Sequence, residues 1–443
     1  MLHPNRRHVL QFGAAAASGL ALPPFALAQG GPLRIGLVTP LSGPQEFIGT
    51  YVKNGAEVAV EQINKAGGIL GRQVALEIRD DKANPAAALA ATRELLGAGI
   101  NLHIGGISSA VVLAMVPVMQ QENGVHLTCG AGTEKMNHEA YSDHMFRPGD
   151  SPDARGRAQA KLMAERYPNI TRWTGLIPDH EYGRTMWGIF VDGLLEFYPA
   201  IARKKPEILD PVLMPYGVAD YRNGIPAALR QQADGCFNAT YGGDAITMFQ
   251  QARGFGLMQR YKVVCDAANE FLVARGMKQQ LPAQWTGMHW YAAANKGNAM
   301  SDRFLSDYQA KTKDPEPLGW AAEAHAAVYA LARAIEKGKS TETKSVIANL
   351  KGLTWDTVTG PRFMRPEDNQ TVKDVELVFL EPANTEKGYA VKEYVKVDGK
   401  SSIMPPTPGQ TMKLRWRFSL QVRGVGPVRM VATDYYGPQA PGE

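Results

Sequence analysis

Cysteine is scarce. The chain has three, Cys129, Cys236 and Cys265, in 443 residues. An odd number cannot be wholly paired within one chain, and none of the spacings suits a zinc site. Cys236 and Cys265 could form a bridge in an oxidising compartment. Both fall in apolar stretches that read as strands, so free, packed thiols are expected. Long hydrophobic runs are missing too. No segment after the N-terminus holds the ~18 uninterrupted apolar residues that a membrane helix needs. Charge of one sign is missing from the body of the chain. The formal net charge of +5 comes from the ends. Arg6 and Arg7 stand alone at the start, and Lys413, Arg415, Arg417, Arg423 and Arg429 outnumber Asp434 and Glu443 at the finish. A neutral stretch from 29 to 404 argues against nucleic-acid binding.

Catalytic and cofactor motifs are also lacking. The nine histidines are scattered, with no H-E-x-x-H and no Cys/His cluster. His180 and Glu181 are neighbours, but a metal needs further ligands at workable spacing. No G-x-G-x-x-G or Walker loop occurs, and "YGGD" and "GAGT" are too short to cradle a phosphate. No cofactor and no metal are therefore expected.

What is present starts with an export signal. "NRRHVLQF" is followed by the modest apolar run "GAAAASGLALPPFALA", and "ALA" before "QG" places cleavage after Ala28. The arginine pair points to the twin-arginine route over the general secretory one. The mature chain is expected to be exported and soluble outside the cytoplasm.

From there, strands and helices alternate. "PLRIGLVTPLSG" leads into "TYVKNGAEVAVEQINKAGG", whose apolar residues recur at helical spacing until Gly67 and Gly68 stop it. "QVALEIRDD", "NLHIGG" and "VHLTCG" read as strands separated by helices. After "FRPGDSPDARG" the alternation restarts, with strands at "RWTGLIPD", "EILDPVLMPY", "GCFNATYGG", "RYKVVCDA" and "QWTGMHWYAA". "VELVFLEP" and "YAVKEYVKV" read as a closing hairpin. The fold class is α/β, with two mainly parallel sheets flanked by helices. The basic tail 405–443 has no element preparing for it and is expected to be poorly ordered.

In open parallel sheets, ligands bind beyond the carboxyl ends of the strands. Those ends read "SGPQEFIG", "GGISSA", "TCGAGTE", "PDHEYG", "YGGD" and "CDAANE". Ser108 and Ser109 at a helix start suit an anion such as a carboxylate, or simple capping. As a nucleophile elbow, "GGISSAVV" fails, because Ala110 stands where G-x-S-x-G requires glycine and no histidine is convincingly placed. Asp244 and Asp266 each follow a strand, where a carboxylate either holds an ammonium group or caps the next helix. Tyr182 offers a hydroxyl and a flat face for closing over a small ligand.

Taken together, "IGLVTPLSGP", "AVEQINKAGGILGR", "IRDD", "IGGISS", "PDHEYG", "DGCFNATYGGDA" and "PPTPGQTMK" carry a resemblance. Over roughly residues 32–404 the chain resembles the periplasmic substrate-binding proteins of ABC transporters, in the branched-chain amino acid (Leu/Ile/Val-binding) class. The resemblance implies a type I periplasmic binding fold of two lobes joined by three crossovers, here 29–147 plus 287–362 and 148–286 plus 363–404. It implies a monomer, no enzyme activity, a small-molecule ligand and a membrane permease as partner. Ser109 and Thr133, with the backbone near Ala131, would grip a carboxylate; Tyr182 would close from the other lobe; Asp266, with Asp244 nearby, would hold an α-ammonium. An aliphatic or branched amino acid is the first expectation. A small aromatic or aliphatic carboxylate or amide is the alternative, with Tyr182 and Trp320 as an aromatic wall. Two readings of other classes stay open: a ligand-sensing module, and a secreted hydrolase using Ser108 or Ser109. The chain departs from the family where aspartate replaces the usual glutamate at 266 and where the "TCGAGTE" loop is one residue longer.

Overall fold

The computed structural model describes residues 31–43 and 45–416, with the backbone of two short strands beyond them. The export-signal expectation over 1–28 lies outside the described residues. Strand β1 (Leu33–Thr39) feeds helix α1 (Glu46–Lys65); β2 (Val74–Asp80), α2 (Pro85–Gly97), β3 (Leu102–Gly105), α3 (Ser109–Gln121), β4 (Val125–Thr128) and β5 (Met145–Phe146) follow. These strands form a parallel sheet in the order β2-β1-β3-β4-β5. A crossover then leads to α4 (Pro152–Arg166), β6 (Arg172–Pro178), α5 (Glu181–Phe197), β7 (Glu207–Ile208) and β8 (Val212–Met214). Next come α6 (Ile225–Arg230), β9 (Gly235–Asn238), α7 (Gly242–Arg253), α8 (Leu257–Arg260), β10 (Val263–Asp266), α9 (Leu272–Met277) and β11 (Gln284–Met288).

The chain returns to the first sheet with α10 (Ala299–Thr312), α11 (Trp320–Gly338) and α12 (Thr343–Leu350). Helix α11 lies against α1 so closely that a Cβ on Gly55 would sit 2.0 Å from the Ala321 carbonyl oxygen. Only glycine permits that approach. A small antiparallel sheet follows, from β12 (Thr354–Thr357), β13 (Gly360–Met364) and β14 (Thr371–Val372). The sequence had given no sign of it. Finally β15 (Val375–Pro382) and β16 (Tyr389–Val397) make the expected hairpin. They join the second sheet antiparallel, in the order β16-β15-β11-β10-β9-β6-β7, with β8 also on β6. The stretch "EILDPVLMPY" forms two strands instead of one, because Pro211 has no N–H to offer a ladder.

Each sheet has its own apolar filling. Leu33, Ile35 and Leu37 of β1 and Leu102 and Ile104 of β3 are buried under helices on both faces. Trp173, Trp187, Phe190 and Phe237 fill the layer between α5 and the second sheet. All three cysteines are buried free thiols.

Buried ions lace the three crossovers side by side. Arg147 in the first bonds Gln370 beside the third at 2.9 Å, and its backbone pairs with Asn369 and Thr371. Arg362 donates to the Pro148 carbonyl at 2.8 Å and to Glu323 at 2.5 and 3.1 Å. Lys373 in the third crossover donates to the carbonyl of His289 in the second, at 2.9 Å. Such pairs hold only when every partner is in place.

The start of the tail corrects the expectation of disorder. Thr407 hydrogen-bonds His138 at 2.7 Å, and Arg415 binds Asp192 of α5 through its backbone N–H at 2.8 Å. The Trp416 ring meets Trp187 edge-on at 6.1 Å. Farther on, Phe418–Leu420 pairs antiparallel with Met430–Ala432. Residues 417, 421–429 and 433–443 of the tail lie outside the described residues.

Candidate functional site

The carboxyl edges of the two sheets face each other, as parallel topology requires of the loops that follow the strands. Between them lies a cavity of about 300 Å³. The first lobe contributes Gln45 and Ile48 at the start of α1, Ser108 and Ser109 at the start of α3, Gly130 and Gly132 after β4, and Trp320 at the start of α11. The second contributes Arg155 from α4, His180, Glu181 and Tyr182 after β6, Tyr216 after β8, and Tyr241 after β9. His289, in the second crossover, also lines it.

One wall is aromatic. His180 meets Tyr216 edge-on at 4.9 Å, Tyr182 meets Tyr241 edge-on at 5.2 Å, and Tyr216 lies 5.7 Å from Tyr241. Such edge contacts let the rings brace one another. Removal from water pushes the Tyr182 hydroxyl up to about 12, so it stays a neutral donor. Burial holds His180 below its ordinary range, which keeps the imidazole neutral.

The lining carries one cation and one carboxylate, each with a protein partner of opposite charge. Arg155 is the cation of the cavity lining. Burial is the largest single influence and opposes its charge, but Asp150, Tyr182, Glu270 and Glu323 together outweigh it and raise its pKa. Its Nη1 lies 3.2 Å from Asp150 Oδ2 and 3.0 Å from His289 Nε2. The lining carboxylate, Glu181, is engaged by Lys135 at 3.0 Å across the cleft.

The sequence-predicted residues divide. Ser108, Ser109 and Tyr182 line the cavity. Ser108 occupies the N-cap of α3 without a capping bond from its side chain, leaving the hydroxyl for other partners. Ala131, Thr133, Asp244 and Asp266 do not line it, and each has a physical reason. The Ala131 N–H is taken by Thr128 Oγ1 at 3.3 Å. Thr133 is fully buried, its hydroxyl accepting from Lys135 N–H and its carbonyl from Arg147. In the lengthened loop it is Gly130 and Gly132 that reach the cavity. Asp244 accepts from Gly217 N–H at 2.7 Å and so anchors the loop that presents Tyr216. Asp266 is buried, and its carboxylate takes Asn238 Nδ2 at 2.7 Å, Asn269 N and Nδ2 at 2.7 Å each, and Thr286 Oγ1 at 2.8 Å. It ties the ends of β9, β10 and β11 together and has no face left for an ammonium group.

Sequence reasoning missed Gln45, Arg155, Tyr216, Tyr241 and His289. Tyr241 stands in the strand end "NATYGGD" and was within reach of the rule that selected Asp244. Arg155 was not, because it rises from a helix after a crossover, where no strand end points to it. A hydrolase finds no support in the geometry. His289 has both ring nitrogens engaged, by Arg155 and by Glu270, and no described histidine is hydrogen-bonded to Ser108 or Ser109.

Comparison with known proteins agrees with this architecture. The family model described as periplasmic binding protein matches residues 32–386. A Leu/Ile/Val-binding protein of Rhizobium johnstonii is 34% identical over 154 residues, which is 35% of this chain and 41% of that one. The match thus spans about two fifths of that relative. A leucine-, isoleucine-, valine-, threonine- and alanine-binding protein of Pseudomonas aeruginosa is 25% identical over 79% of this chain and 89% of its own. Among solved structures, a solute-binding protein of an ABC transporter from Rhodopseudomonas palustris, in complex with 3,4-dihydroxybenzoic acid, superposes with a TM-score of 0.72. It is 19% identical and covers 83% of this chain and 98% of its own.

Proposed function

The chain belongs to the periplasmic binding protein family, and from that premise we propose that it is the solute-binding component of an ABC importer, capturing a small organic acid without an amine. The single observation carrying the ligand class is the lining of the cavity. It holds a cationic Arg155, an aromatic wall and no carboxylate free of a protein partner. A carboxylate ligand would find Arg155 and the Ser108–Ser109 start of α3. An α-ammonium would have to pull Glu181 away from Lys135, or stay unpaired at a cost of several kcal/mol. This reading replaces the branched-chain amino acid, whose expected partner Asp266 is committed elsewhere. The amino-acid reading keeps the support of the ligands named for the Rhizobium and Pseudomonas relatives.

Function then follows from geometry. A ligand in the cleft touches both lobes only when they are closed, so it shifts the population to the closed form. A permease in the membrane is the partner that would read that form. Among the described residues, no helix is long and apolar enough to cross a membrane. The proposed location of the mature chain is the periplasm, as a monomer, with the lobes bounded as the resemblance implies.

The test is thermal shift of residues 29–416 against benzoate, 4-hydroxybenzoate, 3,4-dihydroxybenzoate, leucine and 4-methyl-2-oxopentanoate. A ligand that binds only the folded state raises the midpoint. Stabilisation by acids lacking an amine is expected. Stabilisation by leucine and by none of those acids would overturn the ligand class and leave the transport role standing.

A further inference from the structure

We propose that Glu270 and His289 are positioning residues for Arg155, setting how firmly the cleft grips a carboxylate. This rests on the reading of Arg155 as the ligand's anchor. Glu270 ends the run "DAANE" after β10. It is fully buried, does not line the cavity, and holds a φ of +52°. Side chains with a Cβ rarely adopt that conformation, and where they do the surroundings impose it. Here the surroundings are three hydrogen bonds to its carboxylate. Oε1 lies 2.7 Å from His289 Nδ1 and also accepts the His289 backbone N–H at 3.1 Å. Oε2 accepts the Gly319 N–H at 2.6 Å. Gly319 immediately precedes Trp320 of the cavity wall, so one carboxylate steadies both the imidazole and the turn that carries the wall.

The donor and acceptor chemistry determines the state of His289. A guanidinium only donates, so His289 Nε2, 3.0 Å from Arg155 Nη1, must accept with its lone pair. The ring proton therefore sits on Nδ1, where Glu270 receives it. Carboxylate, imidazole and guanidinium form a line, with Asp150 on the same Nη1 at 3.2 and 3.4 Å. The remaining charge against His289 is Lys373, on its carbonyl, with Glu323 behind it at 3.4 Å. Because the guanidinium is planar and rigid, fixing Nη1 from behind fixes the direction of its other donors.

Two measurements decide the matter. Nitrogen-15 NMR of the imidazoles in the unliganded wild type, with His289 assigned by loss of its signals in His289→Gln, should show a proton on Nδ1 and none on Nε2. The opposite tautomer would overturn the proposal, whatever the ligand. The second compares benzoate with benzamide, its neutral isostere, in wild type and Glu270→Gln. The amide has one acceptor oxygen for three donors, so the line to Arg155 loosens. Benzoate affinity should fall about tenfold and benzamide affinity less than about twofold. Equal losses for both would mean a purely structural residue and would overturn the proposal. If wild type binds no carboxylate, both this inference and the functional reading fail. If it binds leucine and not benzoate, only the ligand class fails. The Glu270→Gln comparison is then made with leucine against leucinamide, and decides in the same way.

Discussion

Gln45 of the first lobe and Tyr241 of the second are joined across the cleft by a hydrogen bond of 3.0 Å. The same amide nitrogen reaches Tyr216 at 3.0 Å. Two protein groups thus help to hold the cleft shut, independently of what fills it. At about 0.5–1.5 kcal/mol net for each bond, Gln45→Leu should withdraw about 1–3 kcal/mol from the closed form. The dissociation constant should rise about 5- to 150-fold. Small-angle scattering of the unliganded variant should show a larger radius of gyration than wild type. An unchanged radius together with unchanged affinity would remove Gln45 from the closure mechanism.

Gly132 faces Tyr182 over the same gap. A Cβ there would lie 2.4 Å from Tyr182 Cδ2. Gly132→Val should therefore prop the lobes apart, costing more than about tenfold in affinity. The unliganded melting temperature should hardly move, since neither lobe's interior is touched. Wild-type affinity measured by calorimetry on this variant would contradict the closed geometry.

Arg155 has two tasks that mutations can separate. Arg155→Met should abolish binding and also destabilise the fold by about 3–5 kcal/mol, because Asp150 is left buried without its partner. Adding Asp150→Asn should restore much of the stability and none of the binding. Denaturant melts and ligand titrations on the single and double variants check both halves. Restored binding in the double variant would show that the ligand does not need the cation.

Asp266 provides the complementary case. An asparagine there turns one acceptor towards donors from Asn238, Asn269 and Thr286. Asp266→Asn should cost about 1–3 kcal/mol of stability, while the folded fraction binds a benzoate-type acid normally. Normal stability with lost affinity would return Asp266 to the ligand.

Acid should weaken the first lobe. Burial pushes His103 down to about 4, and His126 and His325 down to about 3. The unfolded chain takes up these protons near pH 6.5 and the native state resists them. Stability from these groups is therefore intact above pH 6.5 and is lost as pH falls towards 4, by about 3 kcal/mol for His103 alone at pH 4. Asp81, raised by burial to about 6, acts in the opposite sense. Thermal melts from pH 7.5 to 4 should show a falling midpoint, and His103→Leu should flatten that fall. A midpoint level down to pH 4.5 would refute the assignment.

How much of this was legible beforehand follows the local character of each signal. Parallel strands with helices between them announce themselves through apolar periodicity, so β1 to β4, β6, β9 to β11 and the closing hairpin were readable, while the two-residue β5 was not. Ser108, Ser109 and Tyr182 sit directly at strand ends, where topology alone puts a cleft. Arg155 reaches the cavity from the first turn of α4, away from any strand end, and Gln45 lies in the strand end "SGPQEFIG" but bonds partners on the other lobe. Their roles depend on how two lobes meet, which no stretch of sequence carries. Asp266 shows the reverse failing. Its position was right for a ligand group, but Asn238, Asn269 and Thr286 converge on it from three segments, and their side-chain directions were not visible.

The ion pairs of this molecule stand at two depths. Those at the crossovers are buried, while Lys135 and Glu181 at the mouth keep 44% and 31% of their side-chain surface in water. Dissolved salt reaches the second kind and hardly touches the first. Rising ionic strength should therefore loosen the mouth while the axis on which the lobes turn stays as stiff as before.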